Sequence, residues 1–411
     1  MSGHLVIWIV SALAIAGVII RPAGLPEAVF AVAGAVLLLV LGEITPAAAL
    51  RGVARGLDVY LFLAGMMLLS EVARTRGLFD WLAAYAARQA GGSAARLFAL
   101  IYGVGIVVTM FLSNDATAVV LTPAVAAAAR AAKARDPLPY LLACAFIANA
   151  ASFVLPISNP ANLVVYHSAM PRLLAWLAQY LLPSIAAILA TYAVLRFTQR
   201  ASLHGELADP VALPVLSSGG RTAAAGIAGT AILLLGASAF GFQLGPPTAA
   251  AGALTAAIVL GRERAPAWPL LRGISWSVLV LVAGLFVLVQ ALQQSGVIAA
   301  LAALLRHQAQ GDSGAAAWVA GAAVALASNL MNNLPVGLIA GSAVQAGQID
   351  PHVTGALLIG VDLGPNLSVT GSLATILWLT ALRREGIAVS AWRFLKIGAL
   401  VMPPALLAAL A

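Results

Sequence analysis

Apolar runs about as long as a bilayer is thick leave this chain few ways to fold. LVIWIVSALAIAGVII and AVFAVAGAVLLLVLG are the first two, and such runs recur almost to the end. A helix crosses the hydrocarbon with roughly 17 to 25 apolar residues, whereas barrel strands alternate polar and apolar positions, which these runs do not. At 62% hydrophobic and 9% charged residues, with a mean hydropathy of +1.00, the composition lies outside that of soluble domains. The expected fold is an all-α polytopic membrane protein with about ten to twelve membrane segments. Its place is the plasma (inner) membrane, spanned many times. The first run meets Arg21 without a small-residue cleavage site, so it reads as a membrane helix rather than a removable signal.

Several chemistries drop out early. The net charge of +8 is carried almost wholly by arginines between apolar runs, which is anchoring charge and no nucleic-acid site. Cys144 is the one cysteine, so neither an internal disulfide nor a thiolate cluster can form. The histidines, at 4, 167, 204, 307 and 352, have no metal-ligand spacing, and GxxxxGK[ST] and HExxH are both missing. No cofactor, metal or catalytic residue is called for, and an intramembrane enzyme is the remote alternative.

A polar stretch, QRASLHGELADPVALPVLSSGGR, divides the chain into a first membrane half (1–197), a linker (198–221) and a second half (222–411). RGLDVYLFLAGMMLLSEVARTRGLFDWLAAYAAR lies on RGISWSVLVLVAGLFVLVQALQQSGVIAALAALLRH at a constant offset of 219 residues, Gly65 on Gly284 and Gly77 on Gly296. Continued with one gap, the match sets Asn114-Asp115 of FLSNDATAVVLTP on Asn332-Asn333 of NLMNNLPVG. A second pair follows, ANAASFVLPISNPANLVV (148–165) and GVDLGPNLSVTGSLATIL (360–377).

Each half thus holds two apolar segments interrupted by Asn, Asp, Ser, Thr, Gly and Pro. A helix broken in hydrocarbon leaves N–H and C=O groups unpaired, which only protein or a water-filled cavity can satisfy. Paired interruptions in two related halves are the sequence signature of a transporter with two inverted repeats, whose broken helices meet at a mid-membrane site.

Asp115 and Asp362 are the acids placed inside apolar segments, and an intramembrane carboxylate is a candidate proton carrier by default. Asn114, Asn332, Asn333 and Asn366 offer donors and acceptors that suit a small polyhydroxylated solute, an oxyanion or a hydrated cation alike. Asn is equally a good N-cap where a helix restarts. Thr117 beside the first pair of breaks, and Ser158, Asn159, Asn162, Ser368, Thr370 and Ser372 beside the second, either line the site or bond back to helix carbonyls. Pro123, Pro156, Pro335 and Pro365 shape the breaks. Asn149 and Cys144 stand behind the candidate site. Arg130, Lys133 and Arg135, with Arg51 and Arg55 expected on the same side, mark a cytoplasmic face.

FLSNDATAVVLTPAV, SNLMNNLPVGL and GVDLGPNLSVTGSLATILW together resemble the arsenical pump membrane protein family, arsenite efflux permeases of the ion transporter superfamily. The likeness covers essentially the whole chain, and its most specific piece is Val361 to Trp378. It implies export of trivalent arsenite or antimonite as a neutral trihydroxide. The drive would be proton antiport or an associated cytosolic arsenite-stimulated ATPase subunit, with membrane lipid as surroundings. By motif position Asn114, Asp115, Asn332, Asn333 and Asp362 carry over to the central site. Related pumps often carry an acid where this chain has Asn149, the counterpart of Asp362, which puts the number of coupled protons in question. Within transport, a sodium/proton antiporter or a sodium-coupled anion carrier is the alternative.

Overall fold

A computed structural model describes residues 3–208 and 211–411. Ten α-helices precede the linker: α1 Gly3–Ile20, α2 Glu27–Val40, α3 Pro46–Arg55, α4 Leu57–Thr75, α5 Leu78–Gln89, α6 Ala94–Phe111, α7 Thr122–Ala131, α8 Leu138–Ala150, α9 Pro160–Tyr166 and α10 Leu173–Thr198. Ten follow it in the same order: α11 Ser218–Phe240, α12 Gly245–Glu263, α13 Trp268–Gly273, α14 Ser277–Gln294, α15 Val297–Gly311, α16 Ser313–Met331, α17 Asn333–Gly347, α18 Pro351–Leu363, α19 Leu373–Arg384 and α20 Ala391–Leu410. Local chemistry repeats at the same offset. Ser93 caps α6 and Asp312 caps α16 through their side-chain oxygens. Gly77 (φ 73°) and Gly296 (φ 82°) make the left-handed turns that start α5 and α15.

Six helices, α6, α10, α11, α14, α16 and α20, are long and apolar enough to cross a membrane, and α3 with α4, bent by 47°, makes a seventh span. Shorter apolar helices lie at 4–20, 27–40, 116–131 and 138–150, so six or seven helices pass as full spans where about ten to twelve membrane segments are expected from the sequence.

Packing is reciprocal between the halves. α4 lies on α12 while its counterpart α14 lies on α2, and α6 pairs with α8 as α16 does with α18. Small residues set these crossings. A Cβ on Gly65 would sit 2.3 Å from the Thr248 carbonyl oxygen, and one on Gly284 would sit 2.9 Å from the Ala31 backbone. Such close approach is how membrane helices gain van der Waals contact without a hydrophobic driving force.

The loops gather at two faces. Arg76 pairs with Glu263, Arg130 pairs with Glu385 and Ser202 donates to Asp136 at the face that carries the linker. At the far face Arg55 bonds Gln293, Trp8 bonds Ser295, the Gly245 amide donates to Asp58 and Gln179 donates to the Pro351 carbonyl. Following the chain through the helices puts Arg51, Arg55, Arg172 and Arg306 toward the far face and the other lysines and arginines toward the linker face. The expectation that Arg51 and Arg55 share the side of Arg130 is therefore corrected. α4 separates them by its full length of ~28 Å at 1.5 Å per residue.

Candidate functional site

Four chain interruptions meet at the middle of the bundle, each built differently. After α6 the helix breaks at Leu112–Ser113. Ser113 Oγ accepts from the Ala116 amide, and the Asn114 amide donates to the Ser158 carbonyl. The chain then restarts through the π-helical turns Ala116–Leu121, a geometry common at functional sites. After α16 one residue makes the break. Asn332 takes φ 69° and ψ 150°, a conformation sparsely populated by non-glycine residues, and its side chain accepts from the Leu334 amide.

After α8 the loop hangs on α6, with Ser158 Oγ donating to the Met110 carbonyl and Asn159 Oδ1 capping α9 at the Ala161 amide. After α18 the loop hangs on α16 at the corresponding residue. Thr370 Oγ1 donates to the Asn329 carbonyl, and Ser372 caps α19 at the Thr375 amide.

Between these ends lies a cavity of about 20 Å³, lined by Asn114, Asp115, Asn159, Asn333 and Ser372 against Leu63, Val278, Leu334 and Leu373. That is room for little more than a water, polar on one wall and apolar on the other. Asp115, half-buried, also forms the floor of a vestibule of about 520 Å³ that opens to the linker face between α4, α13, α19 and the start of α7. Glu71, Arg74, Arg384 and Glu385 stand in this vestibule, with Arg74 bonded to both Glu71 oxygens and Glu385 paired with Arg130.

The counterpart helices α14, α3, α9 and α17 enclose only about 30 Å³ at the far face, among Arg55, His167, Gln290, Gln293, Ser342 and Gln345. Gln290 and Gln293 sit at the offset positions of Glu71 and Arg74. Corresponding parts of the two halves thus form one open and one shut approach to a common centre, at opposite ends of α4.

The sequence-selected residues separate into groups. Asn114, Asp115, Asn159 and Asn333 line the cavity, whereas Asn332 caps α17 and Ser158 anchors its own loop. Ser368 and Thr370 lie outside the cavity, tied to Asn329, whose Oδ1 accepts from the Ser368 amide and hydroxyl and whose Nδ2 donates to the carbonyls of Ala325 and Gly364. Thr117 bonds Thr109 inside the protein. Asn149 donates to Asn366 Oδ1, and Asn366 donates in turn to the Phe146 carbonyl. Cys144 is fully buried.

Asp362 is also fully buried and lines neither hollow. Its Oδ1 accepts from Asn159 Nδ2 at 2.7 Å, and its Oδ2 has no partner. The vestibule charges Glu71, Arg74, Arg384 and Glu385 escaped sequence reading because charges near helix ends look like interfacial anchors. No group of three metal-ligating side chains occurs among the described residues.

Such a bundle, with interrupted helices around a polar mid-membrane centre, is a multi-pass membrane transporter. Residues 5–360 match the family model described as citrate transporter, and the chain belongs to that family. It is similar to the arsenical pump membrane protein of Escherichia coli strain K12, 29% identical over 410 residues covering 96% of this chain and 94% of that one. The arsenical pump membrane protein of Yersinia enterocolitica is also 29% identical, over 84% of this chain and 83% of its own. The expected resemblance is thereby present. In fold the chain is similar to the YdaH transporter of Alcanivorax borkumensis, with a TM-score of 0.57 and 16% identity, covering 88% of this chain and 85% of that one. The chain is a transporter rather than an enzyme.

Proposed function

We propose that this chain is a secondary active efflux transporter that exports trivalent arsenite and antimonite, as the neutral trihydroxide, by proton antiport across the plasma (inner) membrane. The observation that carries this reading is the cavity wall: amides and a hydroxyl from Asn114, Asn159, Asn333 and Ser372, one carboxyl from Asp115, and no cationic side chain. Amides donate to solute oxygens and the carboxylate accepts solute O–H groups, a set suited to a small neutral hydroxylated molecule. A polyanion such as citrate would require cations there. Two relatives named as arsenical pumps add weight to the same reading.

The two halves, 1–197 and 222–411, act as the repeats, and the excess of cations at the linker face makes that face cytoplasmic by the positive-inside rule. The vestibule is then the entry from the cytoplasm, and the Arg55–Gln293 side is the shut exit. A neutral solute moved uphill feels no membrane potential, so some charge or chemical energy must be coupled to it. Asp115 and Asp362 carry the protons. Protonation from the outer side weakens the grip of Asp115, and release accompanies proton entry.

The test is arsenite uptake into inverted membrane vesicles under an imposed pH gradient, with and without sodium. Gradient-dependent uptake that needs no sodium, and that is lost in the Asp115→Asn, Asp362→Asn double variant, is expected. Sodium or citrate transport without arsenite transport would overturn the reading, as would normal proton-driven uptake by the double variant.

A further inference from the structure

The two acids are placed for different work. Asp115 reaches both hollows, whereas Asp362 is sealed at the end of α18 and meets the cavity through one side chain, Asn159. Asn159 has three engagements: its Oδ1 caps α9 at the Ala161 amide, its Nδ2 donates to Asp362 Oδ1, and its side chain lines the cavity beside Asp115 and Asn333. An amide nitrogen carries two hydrogens, and Asp362 takes one of them.

The link is one-sided. At the 213-residue offset that relates α8 to α18, Asn149 corresponds to Asp362 and Ser372 to Asn159, yet Asn149 bonds Asn366 and Ser372 bonds Thr375. Among the described residues the acid–amide link Asp362–Asn159 has no counterpart at the corresponding positions of the other half. Tyr180 of α10 is a titratable group near Asp362.

We propose that Asp362 never touches the transported solute and acts on it only through Asn159. This rests on the transporter reading above. Asp362 holds the Asn159 amide so that Oδ1 stays on the α9 cap and the second N–H serves as a donor to a solute oxygen. The site therefore selects a solute with an oxygen acceptor at that point. A proton gained by Asp362 goes to Oδ2, because Oδ1 is already accepting. The Asn159 bond then changes from charge-assisted to neutral, which weakens it without breaking it. Asp362 is a positioning residue that conveys its charge to the cavity, and Asn159 is the residue that determines specificity.

The test has two arms. In arsenite uptake, Asp362→Asn keeps an acceptor for Asn159. Its KM should stay within about twofold of wild type while the pH dependence of KM flattens. Asn159→Ala removes the cavity donor and should raise KM about tenfold, the loss of one hydrogen bond, and the exchange Asn159→Asp with Asp362→Asn, which also sets a carboxylate beside Asp115, should raise it at least as much. The exchange keeps the bond and the α9 cap, which separates loss of the donor from misfolding.

The second arm uses no cargo. Infrared difference spectra across pH, with the Asp362 carboxyl band assigned through Asp362→Asn, should show that band shifted by Asn159→Ala and unmoved by Asn114→Ala. An unmoved band in Asn159→Ala, no band assignable to Asp362 at any pH, or an equal rise in KM for Asp362→Asn and Asn159→Ala would overturn the proposal. A shifted band in a protein that moves no arsenite would instead sink the cargo assignment and leave the link standing.

Discussion

The shut approach at the far face is held across α3 and α14 by the Arg55 Nη1–Gln293 Oε1 bond of 2.6 Å, at the rim of the 30 Å³ pocket. A hydrogen bond to a charged group contributes about 1.5–3 kcal/mol in shielded surroundings. Arg55 is exposed, so solvent screening reduces the figure to about 0.5–1 kcal/mol. Removing the bond with Gln293→Leu should therefore raise the population open to the far face about two- to fivefold, at a factor of ten per 1.4 kcal/mol. Freed Arg55 returns to water, and no buried charge is stranded.

A cysteine at Ser342 reads that population by its rate of reaction with a membrane-impermeant maleimide, and a cysteine at Thr380 reads the vestibule. The native thiol is silent because Cys144 is 0% exposed. The Ser342→Cys rate should rise two- to fivefold with Gln293→Leu, while Thr380→Cys stays fast because the vestibule-open state still dominates. An unchanged Ser342→Cys rate would refute the role of this bond. Rapid labelling at both positions in otherwise wild-type protein would refute alternation itself.

Gly65→Ala should cost about 1–3 kcal/mol, because its Cβ meets the backbone of Thr248 and α12 must move as a body. Thermal unfolding in detergent should show a smaller loss for Gly284→Ala, and equal losses would contradict the packing described. Asn329→Ala removes the hub of the 364–371 segment and should cost about 2–3 kcal/mol, while Asn329→Asp keeps the acceptor and should fall between. Melting curves that leave both variants at the wild-type midpoint would show that the segment is held elsewhere.

Much of this fold was legible because polar residues inside apolar runs need a reason. The breaks at Asn114-Asp115 and Asn332-Asn333 stand out for that cause, and the 219-residue offset reappears in the caps Ser93 and Asp312 and in the turns at Gly77 and Gly296. What the sequence left open was the partner of each polar side chain. Ser368 and Thr370 belong to Asn329, Asn366 belongs to Asn149, and Asp362 belongs to Asn159 from more than 200 residues away. Such pairings depend on how the two halves interlock, which no local pattern encodes. The same limit explains Arg51 and Arg55. Their side depends on where α3 bends into α4, and the bend falls at Gly56, inside a run that reads from sequence as one continuous segment.

The interlocking also explains why the two approaches differ. They are made from corresponding helices, so shutting one and opening the other asks each half to adopt the arrangement of its counterpart. The exchange is uneven in energy, because the linker-face approach carries the ion pair Glu71–Arg74 where the far-face approach carries Gln290 and Gln293. Burying a charged pair requires desolvating both ions, whereas neutral amides lose far less on leaving water. The far-face approach, whose one cation, Arg55, stays exposed, is thus the easier one to shut. Closing the vestibule instead requires compensation. A solute seated against Asp115, which shares the vestibule floor with the cavity, is placed to supply it. On that argument the approach at the linker face is the costlier one to close, and a solute seated against Asp115 lowers that cost.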